Sequence, residues 1–320
     1  MADQESTARI APGVHVPVLL RETLEWLAPH AGGRYVDGTL GGAGHAEAIL
    51  RDSSPDGDLL GIDWDDAARE RAALRLAPFG ERATLRAGSF ADLGEMLGEI
   101  GWDGVDGILL DLGVSSFHLD EAERGFSFAK AGPLDMRMDR AGATTAAEWI
   151  REASEDEIVR VLREYGEEPN ARRVARAIVA ASRAGALGDT IALATVVGGA
   201  AARTPGRNPA TRTFQALRVA VNRELDQLDR FLDDGWRWLR PGGRLVVLAY
   251  HSLEDRRVKQ AFALWDKSCL CPRSIPVCRC GWSRKVRVLT RRPVRPADEE
   301  VAANPRSRSA RLRAVEKLAA

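Results

Sequence analysis

The 320-residue chain lacks several features whose absence narrows its class. No apolar run approaches the roughly eighteen residues of a membrane span, and Met1 to Arg9 is polar, without the apolar core of a secretion signal. A cytoplasmic protein with no membrane partner is expected. Cysteine is missing until Cys269, after which all four crowd together as Cys269, Cys271, Cys278 and Cys280. In a reducing compartment such a cluster reads as metal ligands more readily than as disulfides. Its C-x-C pairs nevertheless depart from the usual C-x2-C zinc spacing. Zinc and free, redox-sensitive thiols both stay open, and no metal is assigned to a reaction. Net charge is missing too, since 46 Lys and Arg balance 46 Asp and Glu. The balance is uneven: from Lys267 onward fourteen Lys or Arg face four acids, a surplus of ten by subtraction. A polyanionic partner is expected for that segment.

What is present centres on Arg34 to Asp63. Tyr35–Val36 reads as a strand entering Asp37-Gly38-Thr39-Leu40-Gly41-Gly42-Ala43-Gly44, and His45 to Leu50 opens a helix. A second apolar run, Leu59 to Ile62, ends on Asp63. Strand, glycine turn, helix, strand and terminal acid make a nucleotide-binding βαβ unit: glycines admit a ligand close to the backbone, and the acid accepts from ribose hydroxyls. A dinucleotide fingerprint needs a third glycine where Glu47 stands. The remaining pattern is that of S-adenosylmethionine sites, with an NAD-dependent oxidoreductase as the alternative.

Further along, Leu20, Leu24 and Leu27 mark a short helix beside the turn, and Asp65–Leu76 a second one. Thr84–Arg86 is a short strand, leaving Phe90 to border an adenine or to sit in the core. Gly107–Leu110 is a buried strand closing on Asp111, the second carboxylate of interest. Phe117–Asp139 reads as a long functional loop. Residues 141–212 are rich in Ala, Glu and Arg without strand runs, so they form a helical insertion, with a capping box at Ser154-x-x-Glu157 and a helix over Asn170–Ala184. Its arginines are a solvated face or part of a nucleic-acid footprint. A helix then runs from Asn208 through Leu225 and Leu228. Leu239–Leu248 is turn and buried strand, ending at Tyr250-His251-Ser252. Lys285–Leu289 and Leu312–Val315 form an antiparallel hairpin. The expected fold class is α/β, a Rossmann-like, mostly parallel sheet closed by that hairpin, with residues 1–140 and 213–320 in one domain and 141–212 in the inserted one.

These residues are specific enough to carry a resemblance. His15–Leu20, Asp37–His45, Leu109–Ser116, Arg124–Phe128, Pro133–Asp139, Ala147–Trp149, Ala210–Arg218, Pro241–Leu245, His251–Arg256 and Asn304–Arg313 together resemble the bacterial small-subunit ribosomal RNA cytosine-N4 methyltransferases, the RsmH (formerly MraW) family, over nearly the whole chain. The resemblance implies a class I SAM-dependent methyltransferase. It would methylate the exocyclic N4 of a cytidine in the decoding region of 16S rRNA, within the small ribosomal subunit and not on DNA. It also implies a cofactor set of Gly42, Ala43, Gly44, His45, Asp63, Phe90, Asp111 and His118. His118 replaces the Gln common in the family, and an imidazole cannot both donate and accept as an amide can.

Methyl transfer from a sulfonium needs positioning above all, together with an acceptor for the amine proton. The Pro-Pro-aromatic loop that DNA amino-methyltransferases place after the fourth strand is absent, since Asp111-Leu112-Gly113-Val114 stands there. The acceptor is therefore unassigned among Asp111, Ser115, Ser116, Asp135 and His251. Methylation at cytosine C5 is excluded, because it needs a Cys nucleophile adding to C6 from the region after the fourth or fifth strand, and all four cysteines lie in the later basic segment. Phe126, Phe128 and Trp149 are platforms for an extruded base or core residues. A non-enzymatic RNA-binding assembly protein retaining the fold is the remaining alternative.

Overall fold

The computed structural model describes residues 17–141, 144–202, 208–272 and 277–319; His15, Val16 and the polar Met1 to Arg9 lie outside them. The first half alternates helix and strand: α1 (Leu20–Leu27), β1 (Arg34–Asp37), α2 (Gly44–Asp52), β2 (Asp58–Asp63), α3 (Asp66–Leu76), β3 (Ala83–Ala87), α4 (Leu93–Glu99) and β4 (Val105–Asp111). Helices follow without strands: α5 (Ser116–Asp120), α6 (Ala146–Glu152), α7 (Glu155–Glu164), α8 (Ala171–Arg183), α9 (Thr190–Ala200), α10 (Thr211–Asn222) and α11 (Glu224–Asp234). The chain returns as β5 (Leu239–Ala249), α12 (Ser252–Trp265), β6 (Val286–Val288), α13 (Asp298–Ala303) and β7 (Arg311–Lys317).

Among the described residues one seven-stranded sheet runs β3-β2-β1-β4-β5-β7-β6. The first five strands are parallel, while β7 runs antiparallel between β5 and β6. A dinucleotide fold would continue with another parallel crossover, so the antiparallel insertion of β7 rules out the oxidoreductase reading.

Side chains alternate across the sheet with a period of two. Val36, Leu60, Ile62, Ile108, Leu110 and Val247 face one apolar cluster. Their neighbours Tyr35, Leu59, Leu109, Val246 and Leu248 face the other. Helices cover both faces, which is why these strands read as unbroken apolar runs. Each fully buried Leu, Ile or Val contributes about 1.5–3 kcal/mol. A third cluster lies among the helices between β4 and β5, built on Ile158, Leu162, Val174, Ile178, Leu193 and Leu217.

Three local expectations are corrected. The long loop over 117–139 contains α5 and a single 3-10 turn, Ala122–Arg124. It is fastened at its far end by Asn222, whose amide donates to Met136 O and accepts from Met138 N, both at 2.7 Å. At Ser154 only half of a capping box forms, the hydroxyl accepting from Glu157 N at 3.2 Å. The full reciprocal boxes are Thr145 with Glu148 and His251 with Glu254. Finally, the helix from Asn208 does not run through Leu225. It breaks at Arg223, whose φ of 52° is left-handed, and α11 starts afresh. Arg218 and Glu224 clamp that corner with paired bonds of 2.8 and 2.9 Å.

Candidate functional site

The crevice opens where the carboxyl ends of β1, β2 and β4 meet, at the point where strand order reverses between β1 and β4. Its volume is about 560 Å³, within the usual range for a small-molecule site. The glycine turn forms one wall. Gly38 must be glycine because a Cβ there would lie 2.5 Å from Leu110 Cδ2 and 2.9 Å from Phe90 Cβ. Gly41 and Ala43 both take left-handed φ, of 49° and 56°, which turns the chain into α2 at Gly44.

Three acids gather at this point, Asp63 and Asp111 in the lining and Asp37 buried beside them. Asp63 Oδ2 accepts from Gly41 N at 2.8 Å and Oδ1 from Asp65 N at 3.0 Å, so the acid that closes β2 also holds the turn. Asp37, closing β1, accepts from Thr39 N at 3.1 Å. Thr39 Oγ1 in turn accepts from Asp111 N at 2.6 Å. Asp111 keeps 23% of its side chain open at a point deep in the crevice. Its Oδ1 accepts from the Tyr250 hydroxyl at 2.8 Å, and its Oδ2 lies 3.6 Å from His45 Nδ1. Burial pushes the Asp111 carboxyl up to about 7, opposed by the Tyr250 bond and assisted by the charge of Glu254. Burial likewise lifts Asp37 to about 7, with Asp111 and Asp63 adding repulsion. Asp63 is raised by burial against its two backbone bonds. Such a cluster favours a cationic ligand, which relieves the repulsion among the carboxylates.

The opposite wall rests on a buried triad absent from the sequence reading. Asp65, the N-cap of α3, accepts through Oδ2 from His118 Nε2 and Arg124 Nη1, both at 2.8 Å. Burial acts upward on Asp65, but these bonds outweigh it and hold the carboxyl well below the usual range. With Nε2–H given to Asp65, a neutral His118 presents Nδ1 as an acceptor, and that buried atom has no protein partner. The ring stacks on Phe126 at 4.8 Å. An adenine amino group is a suitable donor for this atom. The apolar floor comes from Phe90, Leu112 and Leu228, with Phe90 edge-on to Phe231 at 5.8 Å.

Of the residues singled out in the sequence, Gly42, Gly44, His45, Asp63, Phe90, Asp111, Ser115, Ser116, His118 and His251 line this crevice. Ala43 is fully buried behind its lining. Asp135 lies apart from it, paired with Arg137 at 2.7 and 2.9 Å. Phe128 lines the crevice and meets Phe214 edge-on at 4.9 Å, whereas Trp149 packs in the helical cluster. Sequence reasoning passed over Thr39, Asp65 and Gln227, the last of which accepts from the Ser89 hydroxyl at 2.6 Å. An Asp two residues past the strand-ending acid was the available signal for the triad.

Residues 13–318 match the family model described as the MraW methylase family. The chain belongs to the MraW methylase family. Relatives in that family include proteins named ribosomal RNA small subunit methyltransferase H. The one from Symbiobacterium thermophilum is 53% identical over 96% of this chain and 97% of its own length. That from Geobacter sulfurreducens is 53% identical over 95% and 99%, and that from Desulfovibrio desulfuricans 54% identical over 96% and 95%. Family membership accounts for the sheet: five parallel strands, then β7 inserted antiparallel, is the arrangement of a class I SAM-dependent methyltransferase.

A second cleft, about 270 Å³, adjoins the first and shares Gln215, Tyr250, His251 and Ser309 with it. Arg212, Arg295, Arg308 and Arg311 line it against the single acid Glu167. Three arginines of the basic C-terminal segment, Arg295, Arg308 and Arg311, thus lie beside the acidic crevice. No helix among the described residues is long and apolar enough to cross a membrane.

Proposed function

We propose that this chain transfers a methyl group from S-adenosylmethionine to the exocyclic N4 of a cytidine in the decoding region of 16S rRNA, acting in the cytoplasm on the small ribosomal subunit. The observation that carries the reading is the presence of Asp63 and Asp111 in the lining of a nucleoside-sized crevice, with Asp37 buried beside them, next to an arginine-lined cleft. The donor's sulfur is cationic, so it suits the acids, and RNA phosphates suit the arginines.

S-adenosylmethionine, when bound, supplies a methyl group already activated by the positive charge on sulfur. The chain's own residues do the rest. Asp63 accepts from ribose hydroxyls, His118 Nδ1 receives the adenine amino group, and Phe90, Leu112 and Leu228 exclude water from the base. Gly42, Gly44 and His45 carry the remainder of the donor along the turn, with Ala43 setting the turn's shape from behind.

The proton acceptor follows by comparing the candidates. His251 Nδ1 accepts from Glu254 N at 3.4 Å as the cap of α12, and its buried Nε2 lies 3.1 Å from Glu254 Oε1 without hydrogen-bond geometry. Ser115 caps α5, accepting from His118 N at 3.3 Å, and Ser116 offers only a second hydroxyl, a weak base at neutral pH. Asp135 is held below the usual range because the Arg137 bonds outweigh its burial. Asp111 alone combines a place on the crevice with a carboxyl poised near neutrality, which suits hydrogen-bonding an aromatic amine and taking its proton. Phe128 and Phe214 offer the extruded base an aromatic edge. We also take residues 141–212, with α6 to α9, as an inserted domain; most of one apolar cluster lies in it, completed from outside by Phe126, Leu134, Met136, Phe214 and Leu217.

Nucleoside mass spectrometry of 16S rRNA from cells with and without this protein tests the reading. N4-methylated cytidine should vanish without the protein and return with the gene. Its persistence in the deletion strain would overturn the proposal.

A further inference from the structure

Twenty residues, from Asp266 to Lys285, join α12 to β6 without a helix or strand among those described. A stretch of that length inside a compact domain needs something to hold it. Its two ends are tied to each other and to the end of α12: Lys285 N donates to Trp265 O at 2.8 Å, Trp282 Nε1 to Lys267 O at 2.9 Å, and Arg284 pairs with Asp266 at 2.5 Å. Among the described residues of the middle, the apolar side chains Leu270 and Val277 are exposed. The middle also has all four cysteines of the chain, with sulfur atoms lying within 4.8 Å of one another.

The sulfur spacing is informative. Cys269 Sγ lies 3.3 Å from Cys278 Sγ and 3.7 Å from Cys280 Sγ, and the latter two are 3.5 Å apart. Four thiolates at about 2.3 Å from a tetrahedral zinc ion stand roughly 3.8 Å from one another. Backbone N–H groups already point at these sulfurs: Leu270 N to Cys280, Cys271 N to Cys269 and Arg279 N to Cys271, at 3.3–3.4 Å. Such bonds orient and stabilise thiolate ligands from behind. The C-x-C spacing, an objection when read from the sequence, becomes an advantage outside a helix. On an extended chain residues two apart share a side, so two facing C-x-C segments present four sulfurs to one point.

We propose that Cys269, Cys271, Cys278 and Cys280 hold a structural zinc ion that staples the segment between α12 and β6. Four thiolates close the coordination sphere, leaving no position for water or substrate, so the ion has no part in methyl transfer. None of the four lines the donor crevice. The ion instead does what a small apolar core would do elsewhere, fixing a basic segment at the end of the sheet.

The test uses the full-length protein purified under reducing conditions. Elemental analysis should find about one zinc per chain, and a thiol reagent should modify the four cysteines only after chelation or unfolding. Replacement by cobalt(II) should give the intense visible absorption of a tetrahedral tetrathiolate centre. Cys278→Ser should lose the metal while retaining the far-ultraviolet circular dichroism of the sheet and helices. Should that variant fail to fold, the cobalt spectrum of the unsubstituted protein decides. Zinc-free protein after reconstitution, four thiols reactive in the native state, iron in place of zinc, or two disulfides in protein from a reducing cytoplasm would each overturn the assignment.

Discussion

The Tyr250 hydroxyl donates to Asp111 Oδ1 at 2.8 Å, joining the end of β5 to the end of β4 at the bottom of the donor crevice. This bond stabilises the ionised carboxyl, whereas burial favours the protonated one. Tyr250→Phe should therefore raise the Asp111 pKa further above 7 and leave less of the acceptor ionised at neutral pH. A bond to a charged group is worth about 1.5–3 kcal/mol, so the methylation rate should fall about ten- to a hundredfold, with the acid limb of its pH profile displaced upward. A rate loss with an unmoved profile would remove Asp111 from the acceptor role.

Donor affinity should itself depend on pH. Asp111 in the crevice lining and Asp37 buried beside it are both held near 7 in the free protein, and a cation bound in the crevice favours their ionised forms. Binding then expels protons below that pH and is complete in its advantage above it. The affinity for S-adenosylmethionine, followed by calorimetry, should weaken below pH 7 by up to about tenfold per unit for each group. S-adenosylhomocysteine, whose sulfur is neutral, should show a shallower slope; equal slopes would argue against charge pairing with the sulfonium.

Asp63→Ala should abolish donor binding and methylation together. The substitution removes the carboxylate proposed to accept from the ribose and also releases Gly41 N, so the turn loses a fixed point. Tight donor binding by this variant, measured by the same calorimetry, would count against the assigned site.

Asp65→Ala leaves Arg124 and His118, each under a tenth exposed, without their shared partner. Breaking a buried ion pair on one side costs about 3–5 kcal/mol, which urea denaturation should register. The pH dependence follows from the same bonds. Because the folded carboxyl lies below its unfolded value, its contribution is present above the ordinary Asp range, about pH 4, and fades as pH falls through the lower folded value. A variant as stable as the parent at pH 7 would show that the triad adds nothing.

Arg295→Ala and Arg308→Ala should weaken rRNA binding without changing donor affinity, since both line the second cleft and neither lines the first. Each lost phosphate contact should flatten the plot of log affinity against log salt by about 0.7 for single-stranded RNA. An unchanged slope in the double variant would place the RNA elsewhere.

Much of this architecture is legible in the residues. Runs such as Leu59–Ile62 and Gly107–Leu110 announce themselves because both faces of the strand are covered, and each ends on an acid that the fold delivers to the crevice. The break at Arg223 is not legible, since helix-favouring residues lie on both sides and only its left-handed φ marks the corner. Asp65 reads locally as a helix cap. Its second use, holding His118 and Arg124, depends on partners more than fifty residues away that no spacing rule connects. His118 shows the opposite case: a departure from the common Gln becomes intelligible once Asp65 fixes which nitrogen carries the hydrogen.

β7 lies between β5 and β6 although it is the last strand of the seven to be synthesised. Tyr250 and Asp111 likewise come from strands separated in the chain by the whole run of helices from α5 to α11. A growing polypeptide that has emerged only as far as β4 thus carries the glycine turn and its acids but not the fifth strand that completes the pocket. The pocket that would take the methyl donor is therefore completed only after β5 has joined the sheet, so a fragment ending at β4 would lack the Tyr250 side of the crevice.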